Sequence, residues 1–301
     1  MLWITLTIFA HFLSSVVYIF DKHIVTDTKL RPISYTFYSG IFQISYIATI
    51  PFIRFTLPEN AEIILICLGN GALFILALLV FYKGLKIGEA SRVIPVVGAS
   101  IPIFTASLAF IILSERLDQR QLLSFAFLVF GGSLISAKFV NGKIYAIKGL
   151  ALAMAAGFLF ALYYTLLKFL YINADFASAF IIIQIGGFLG ALSLLMTQKN
   201  RLEILSVSKS RSKFSGALFV FAKLTAAIAA ITLNYAISIE GSKITIINSL
   251  QSVQYVFLLL FAFILAKKMP SFLNEQFTRS VAAQKIISVL LIVAGLYFLA
   301  Y

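Results

Sequence analysis

The chain is poor in charge. Only 12% of its 301 residues are charged, while 61% are apolar. A water-soluble domain carries about twice that share of charge, and an apolar excess of this size cannot be hidden beneath a polar surface. Acidic residues number 11 and histidines two, and a single cysteine, Cys67, lies inside an apolar run. One cysteine makes neither an intrachain disulfide nor a thiolate metal cage, so Cys67 reads as a small buried apolar residue. There is no glycine-rich nucleotide loop, no metal-ligand cluster and no nucleophile–base constellation. Hydrolytic and metal-assisted chemistries therefore lack their parts. No cofactor and no metal is expected, and the chain is not expected to be an enzyme.

What the chain has in abundance is apolar length. A helix needs about 20 apolar residues to cross roughly 30 Å of hydrocarbon. Ten such windows can be drawn, at 2–20, 33–54, 62–82, 91–113, 121–138, 148–170, 175–196, 214–237, 243–266 and 282–300. They are continuous runs, not the alternating pattern of a membrane β-barrel. The fold class is thus an all-α integral membrane protein with ten transmembrane helices. The first window has no basic leader and no obvious small-residue cleavage site, so it reads as a membrane helix and not as a signal peptide. Only two connections are roomy, Thr197 to Lys213 and Lys267 to Val281.

The net charge of +13 follows the loops. Numbered in order, the odd loops hold 18 of the 24 Lys and Arg and the even loops hold five, with Lys223 inside a span. The positive-inside rule then puts the odd loops in the cytoplasm and both termini outside. Basic residues spread over many loops do not form a nucleic-acid patch, and no nucleic-acid partner is expected.

The chain also repeats itself. A shift of 153 residues lays Tyr82–Leu113 on Tyr235–Ala266 without a gap, matching Tyr82, Gly88, Ile94, Ala109, Phe110 and Ile111 to identical residues. Ala10, Phe12, Leu13, Tyr18 and Lys22 meet Ala156, Phe158, Leu159, Tyr164 and Lys168. Ser124, Val129 and Gly131 meet Ser288, Val293 and Gly295. The matches keep their order through five spans. Five is odd, so the halves enter the membrane in opposite directions, the inverted repeat from which many secondary transporters build a midplane site. The expected units are 1–140 and 148–301.

The stretch Phe81-Tyr82-Lys83-Gly84-Leu85-Lys86, continuing through Ala90, Pro95 and Pro102 to Leu113-Ser114-Glu115-Arg116-Leu117, resembles one half of the EamA-like branch of the drug/metabolite transporter superfamily. Gly131 and Gly132 supply the glycine-bearing fifth helix of that pattern. The second half departs from it, with Ala266-Lys267-Lys268 where Glu-Arg stands in the first. The resemblance implies ten helices with the fifth and tenth peripheral, a transport function, and both termini in the cytoplasm. That orientation is the reverse of the one read from loop charge.

Polar groups inside spans mark the interior of a bundle or a wet cavity. No carboxylate lies near the middle of any window; Glu89 and Glu240 sit at the ends. Lys223 is the one cation near a centre, and an anionic group on a substrate would hold it charged. The repeat pairs it with Asn70. His11 could relay a proton near neutral pH. In the fourth window Pro95 and Pro102 share a face, and each frees a carbonyl four residues earlier, at Ser91 and Gly98. The repeat sets Asn248, Gln251 and Tyr255 opposite Pro95, Gly98 and Pro102, a polar stripe at helical spacing. Gln43 and Gln184 coincide in the second helix of each half. Gly186, Gly187 and Gly190 read as close-packing positions.

These features point to a secondary transporter moving a small polar or amphipathic metabolite by alternating access. Its substrate-binding residues are expected among Lys223, Asn70, Asn248, Gln251, Tyr255, Gln43, Gln184, Pro95 and Pro102, with His11 as the proton-coupling candidate. The partners are a small-molecule substrate and the lipid bilayer of the cell (inner) membrane, with the chain a monomer or homodimer. A flippase for lipids or lipid-linked sugars is the second reading. An integral-membrane enzyme would have to rest on His23 with Asp21 or Asp27.

Overall fold

The computed structural model describes residues 2–28, 31–53, 55–88, 90–136, 149–205, 213–266 and 279–300. Glu89, Lys267 and Lys268 lie outside the described residues, as do the side chains of Asp21, His23, Asp27 and Pro95. The described chain is helical almost throughout. α1 (Leu2–Thr28) and α2 (Pro32–Ile41) come first, and α2 begins with Pro32 where a missing N–H costs nothing. α2 then tightens into a 3-10 helix over Phe42–Phe52. Ser45 and Thr49 hydroxyls donate to carbonyls three residues back, and Pro51 ends the run without an N–H to give. Such a length of 3-10 helix is unusual. At 2.0 Å per residue it makes the whole segment about 37 Å long, enough to cross. The expected regular helix at 33–54 is therefore replaced by a composite.

α3 (Ala61–Ile87) is capped by Asn60, whose Oδ1 accepts from Glu62 N at 2.8 Å. α4 (Ala90–Leu113) ends with Ser114 at φ 51° and Glu115 N donating to Ala109 O at 3.1 Å. That bond reaches back six positions around a left-handed residue and gives one of the last helix carbonyls a donor. It gives a reason for a small residue at position 114. α5 (Gln119–Ser136) opens with a reciprocal pair: Gln121 N donates to Asp118 Oδ1 and Asp118 N donates to Gln121 Oε1. α6 (Leu150–Asn173) and α7 (Phe176–Ser193) follow, the latter capped by Asp175.

A short polar helix, α8 (Gln198–Leu205), occupies part of the roomy loop after α7. It leans on α2 through an Arg31–Glu203 ion pair at 2.7 Å and through the Ser34 and Tyr38 hydroxyls. α9 (Lys213–Ser238) leads to a broken span, α10 (Ile244–Ser249) and α11 (Gln251–Ala266), and α12 (Arg279–Ala300) closes the chain.

Among the described residues, eight segments are long and apolar enough to cross a bilayer. The α2 composite and α5 occupy the other two expected windows. The outward faces are greasy: Leu65, Ile111, Phe130 and Leu290 are each more than 60% exposed. Inside lie buried Asn70, Asn248, Gln184, Thr105 and Lys168. This inside-out arrangement suits hydrocarbon as the solvent.

Small residues bring the helices together. A Cβ at Gly71 would strike the Ile183 carbonyl and the Gly187 N–H, and one at Gly186 would strike the Leu68 backbone. α3 and α7 therefore touch backbone to backbone, running parallel, with Gly190 against Ala72. α5 and α12 run antiparallel with reciprocal contacts: Gly131 lies against Ser288 and Ile292, and Gly295 against Ser124 and Leu128. Parallel α3–α7 and antiparallel α5–α12 are what ten alternating crossings require.

Candidate functional site

The loops define two ends of the bundle. Among the described residues, the even face holds 55–60, 114–118, 174–175 and 239–243, and the odd face holds α8. Between them, α4, α5 and the α10–α11 segment meet around the predicted polar stripe. Pro102, Asn248, Gln251 and Tyr255 all line one small space, which has about 10 Å³ of room, the size of a single water. The Tyr255 hydroxyl occupies the position where Gly98 would carry a Cβ, and Ser252 packs at 2.7 Å from that position on Gly132. Asn248 Nδ2 donates to Thr105 Oγ1 at 2.8 Å, so α10 is tied to α4 by buried side chains. α4 continues through Pro95 one face-repeat earlier.

The break between α10 and α11 falls at Leu250, whose N–H reaches Ile246 O while its own carbonyl accepts from Val253 N. Beside this break sits His11 from α1. It is buried and adjoins the Ile247 backbone and the Gln254 side chain, and its Nε2 has no hydrogen-bond partner among the described residues.

Lys223 stands elsewhere. Its ammonium lies 5.1 Å from the centre of the Tyr35 ring and 3.5 Å from the Tyr35 hydroxyl. Tyr35 is itself buried, with Tyr82 edge-on to it at 4.9 Å. This is a cation–π arrangement in a low-dielectric setting, bridging α9, α2 and α3. Asn70 is buried on α3; its Nδ2 donates to Tyr163 O and its Oδ1 is left without a partner among the described residues. Gln43 fills the notch made by Gly187, and Gln184 is buried on α7. The predicted residues thus fall into separate groups: the α4–α11 stripe, the Lys223–Tyr35 pair, Asn70 at α6, and the two glutamines near the α3–α7 contact.

Sequence reasoning missed the best-satisfied charge of all. Lys168, at the even end of α6, is 6% exposed. It donates to Ile237 O at 2.9 Å, Ile239 O at 3.0 Å and Ser242 Oγ at 2.8 Å. All three ammonium hydrogens are used, and the acceptors sit at the C-terminal end of α9, where a cation is favoured. On the other side of the same turn, Glu115 Oε2 accepts from Ile244 N at 2.9 Å and Oε1 from Thr245 N at 3.1 Å. An anion thus meets the start of α10. Two signals were available: the match of Lys168 to Lys22, and the place of Glu115 in the first-half motif.

These features, apolar crossings with polar residues turned inward, define a multi-pass membrane protein. Residues 1–137 match the model of the EamA-like transporter family. Among solved structures, 25 chains match. One is a crystal structure 13% identical in sequence, aligned over 97% of this chain and 95% of its own with a TM-score of 0.67; the likeness is one of fold. No curated protein matches the chain.

Proposed function

We propose that the chain is a secondary transporter that carries a small anionic or amphipathic metabolite by alternating access between halves 1–140 and 148–301. The observation that carries this reading is Lys223, a cation in mid-helix held against Tyr35 and bridging the two halves. Its attraction for a carboxylate or phosphate exceeds that for an aromatic face, so substrate would displace the ring. The reciprocal α5–α12 contacts support opposed halves. The unpartnered Nε2 of His11 beside the α10–α11 break supports proton coupling. By loop charge, the odd face is the cytoplasmic one.

The test is purified protein in vesicles, screened for thermal stabilisation by amino acids, nucleosides and sugar phosphates. Lys223→Met should abolish both the stabilisation by an anionic hit and its uptake, with the protein still monodisperse. Unchanged uptake would remove Lys223 from the site. His11→Gln should flatten the pH dependence of uptake; a full pH response in that variant would end the coupling role.

A further inference from the structure

α3, α5 and α7 each carry their cap in the residue just before them: Asn60, Asp118 and Asp175. α10 does not. The residue before it, Lys243, makes no side-chain cap, and the described bonds to the Ile244 and Thr245 N–H groups come from Glu115, about 130 positions earlier in the other half. α10 therefore has its capping anion only while the two halves touch at the even face. The turn before it, 239–243, contains Gly241 at φ 74° and is gripped from behind by Lys168. The Glu115 carboxylate also acts on Lys168 through space. A cation at the end of α9 and an anion at the start of α10 hold one turn from two sides.

We propose that Glu115 is a positioning residue of the transport cycle, a clasp that closes the even face by docking α10 onto the α4–α5 junction. When the halves part at that face, the carboxylate leaves the Ile244 and Thr245 N–H groups and water replaces it at both. Lys168 stays with its turn, because its acceptors and its own helix belong to one half. The clasp thus divides the even face into a fixed part and a releasing part. This inference rests on the reading of the chain as an alternating carrier.

The test uses the full chain in lipid vesicles and in cells, with Cys67→Ala as background and Thr105→Cys as reporter. Thr105 is fully buried and bonded to Asn248 on α10, behind the clasp. A membrane-impermeant maleimide is applied from each side. Glu115→Gln keeps the shape but loses the charge. It should raise even-face labelling about tenfold, as expected for the loss of two charge-assisted hydrogen bonds, and Glu115→Asp should restore part of the protection.

A short bismaleimide joining Ser114→Cys to Lys243→Cys, with Glu115 intact, should lower even-face labelling of Thr105→Cys by a similar factor. That pair carries the test if the Glu115 variants fail to reach the membrane. Labelling indifferent to both the substitution and the cross-link overturns the clasp. If Lys223→Cys then still reacts from one face only, the carrier reading stands. Reaction from neither face, in every variant, overturns both.

Discussion

At the even face Glu115 meets the first N–H groups of α10, and Lys168 meets the last carbonyls of α9. The 153-residue shift carries Glu115 onto Lys268 and carries Ile244 and Thr245 onto Ser91 and Arg92. By that correspondence the sequence carries a lysine at the counterpart of Glu115. Ser242, an acceptor for Lys168, corresponds to Glu89, and Lys168 itself to Lys22. Related segments have therefore been given different charge at their two ends. The difference teaches that a duplicated scaffold does not need two equal gates. One end is held by a carboxylate on backbone N–H groups, and at the corresponding positions of the other the sequence carries Lys268 and Glu89.

The contrast is broken most forcefully at Lys168. Replacing it with Met removes three charge-assisted hydrogen bonds, although Ile237 O keeps the Ser242 hydroxyl and Ile239 O keeps the Ser242 N–H. Hydrogen bonds to a charged group are worth about 1.5–3 kcal/mol each, so Lys168→Met should lose about 3 kcal/mol or more in unfolding measurements in detergent. An equal loss for Lys22→Met would erase the distinction between the faces.

A milder change sharpens it. Lys268→Glu restores at the odd face the charge found at position 115, and odd-face labelling of Lys223→Cys should fall about tenfold if the new carboxylate caps α4. Unchanged labelling would show that the sign of charge there is without consequence. The smallest effect is expected at Ser114. Its left-handed backbone costs a non-glycine residue about 1 kcal/mol, so Ser114→Gly should raise stability by up to about that amount. A loss of stability would mean that the serine side chain is needed in the turn.

How much of this was legible in the sequence depends on the kind of signal. Long apolar runs showed as crossings because hydrocarbon tolerates little else. The stripe Asn248, Gln251 and Tyr255 showed because helical spacing survives in mid-span, and the structure gathers it with Pro102 around one small space. Gly186 and Gly187 read as packing positions, and their backbones do meet Leu68 and Gly71.

Other features depended on contacts between distant residues and left no local trace. The break at Leu250 lies in the stretch Asn248-Ser249-Leu250-Gln251-Ser252, which has no proline or glycine. The 3-10 stretch after Ile41 is an exception, since Ser45 and Thr49 donate locally, three residues back, but those hydroxyls read equally well as parts of a regular helix. α8 is short and polar, and it is held by Arg31 and Ser34 at the start of α2. Lys168 looked like an end-of-helix charge because its three acceptors lie about 70 residues away.

The central claim is that the two faces open in turn. Spin labels across the even face, at Ser114 and Lys243, and across the odd face, at Lys86 and Lys199, report both ends in the same lipid preparation. The account predicts opposed distributions: conditions or variants that lengthen the even-face distance, Glu115→Gln first among them, shorten the odd-face one. Two distances that stay single and fixed, or that lengthen together, would contradict it.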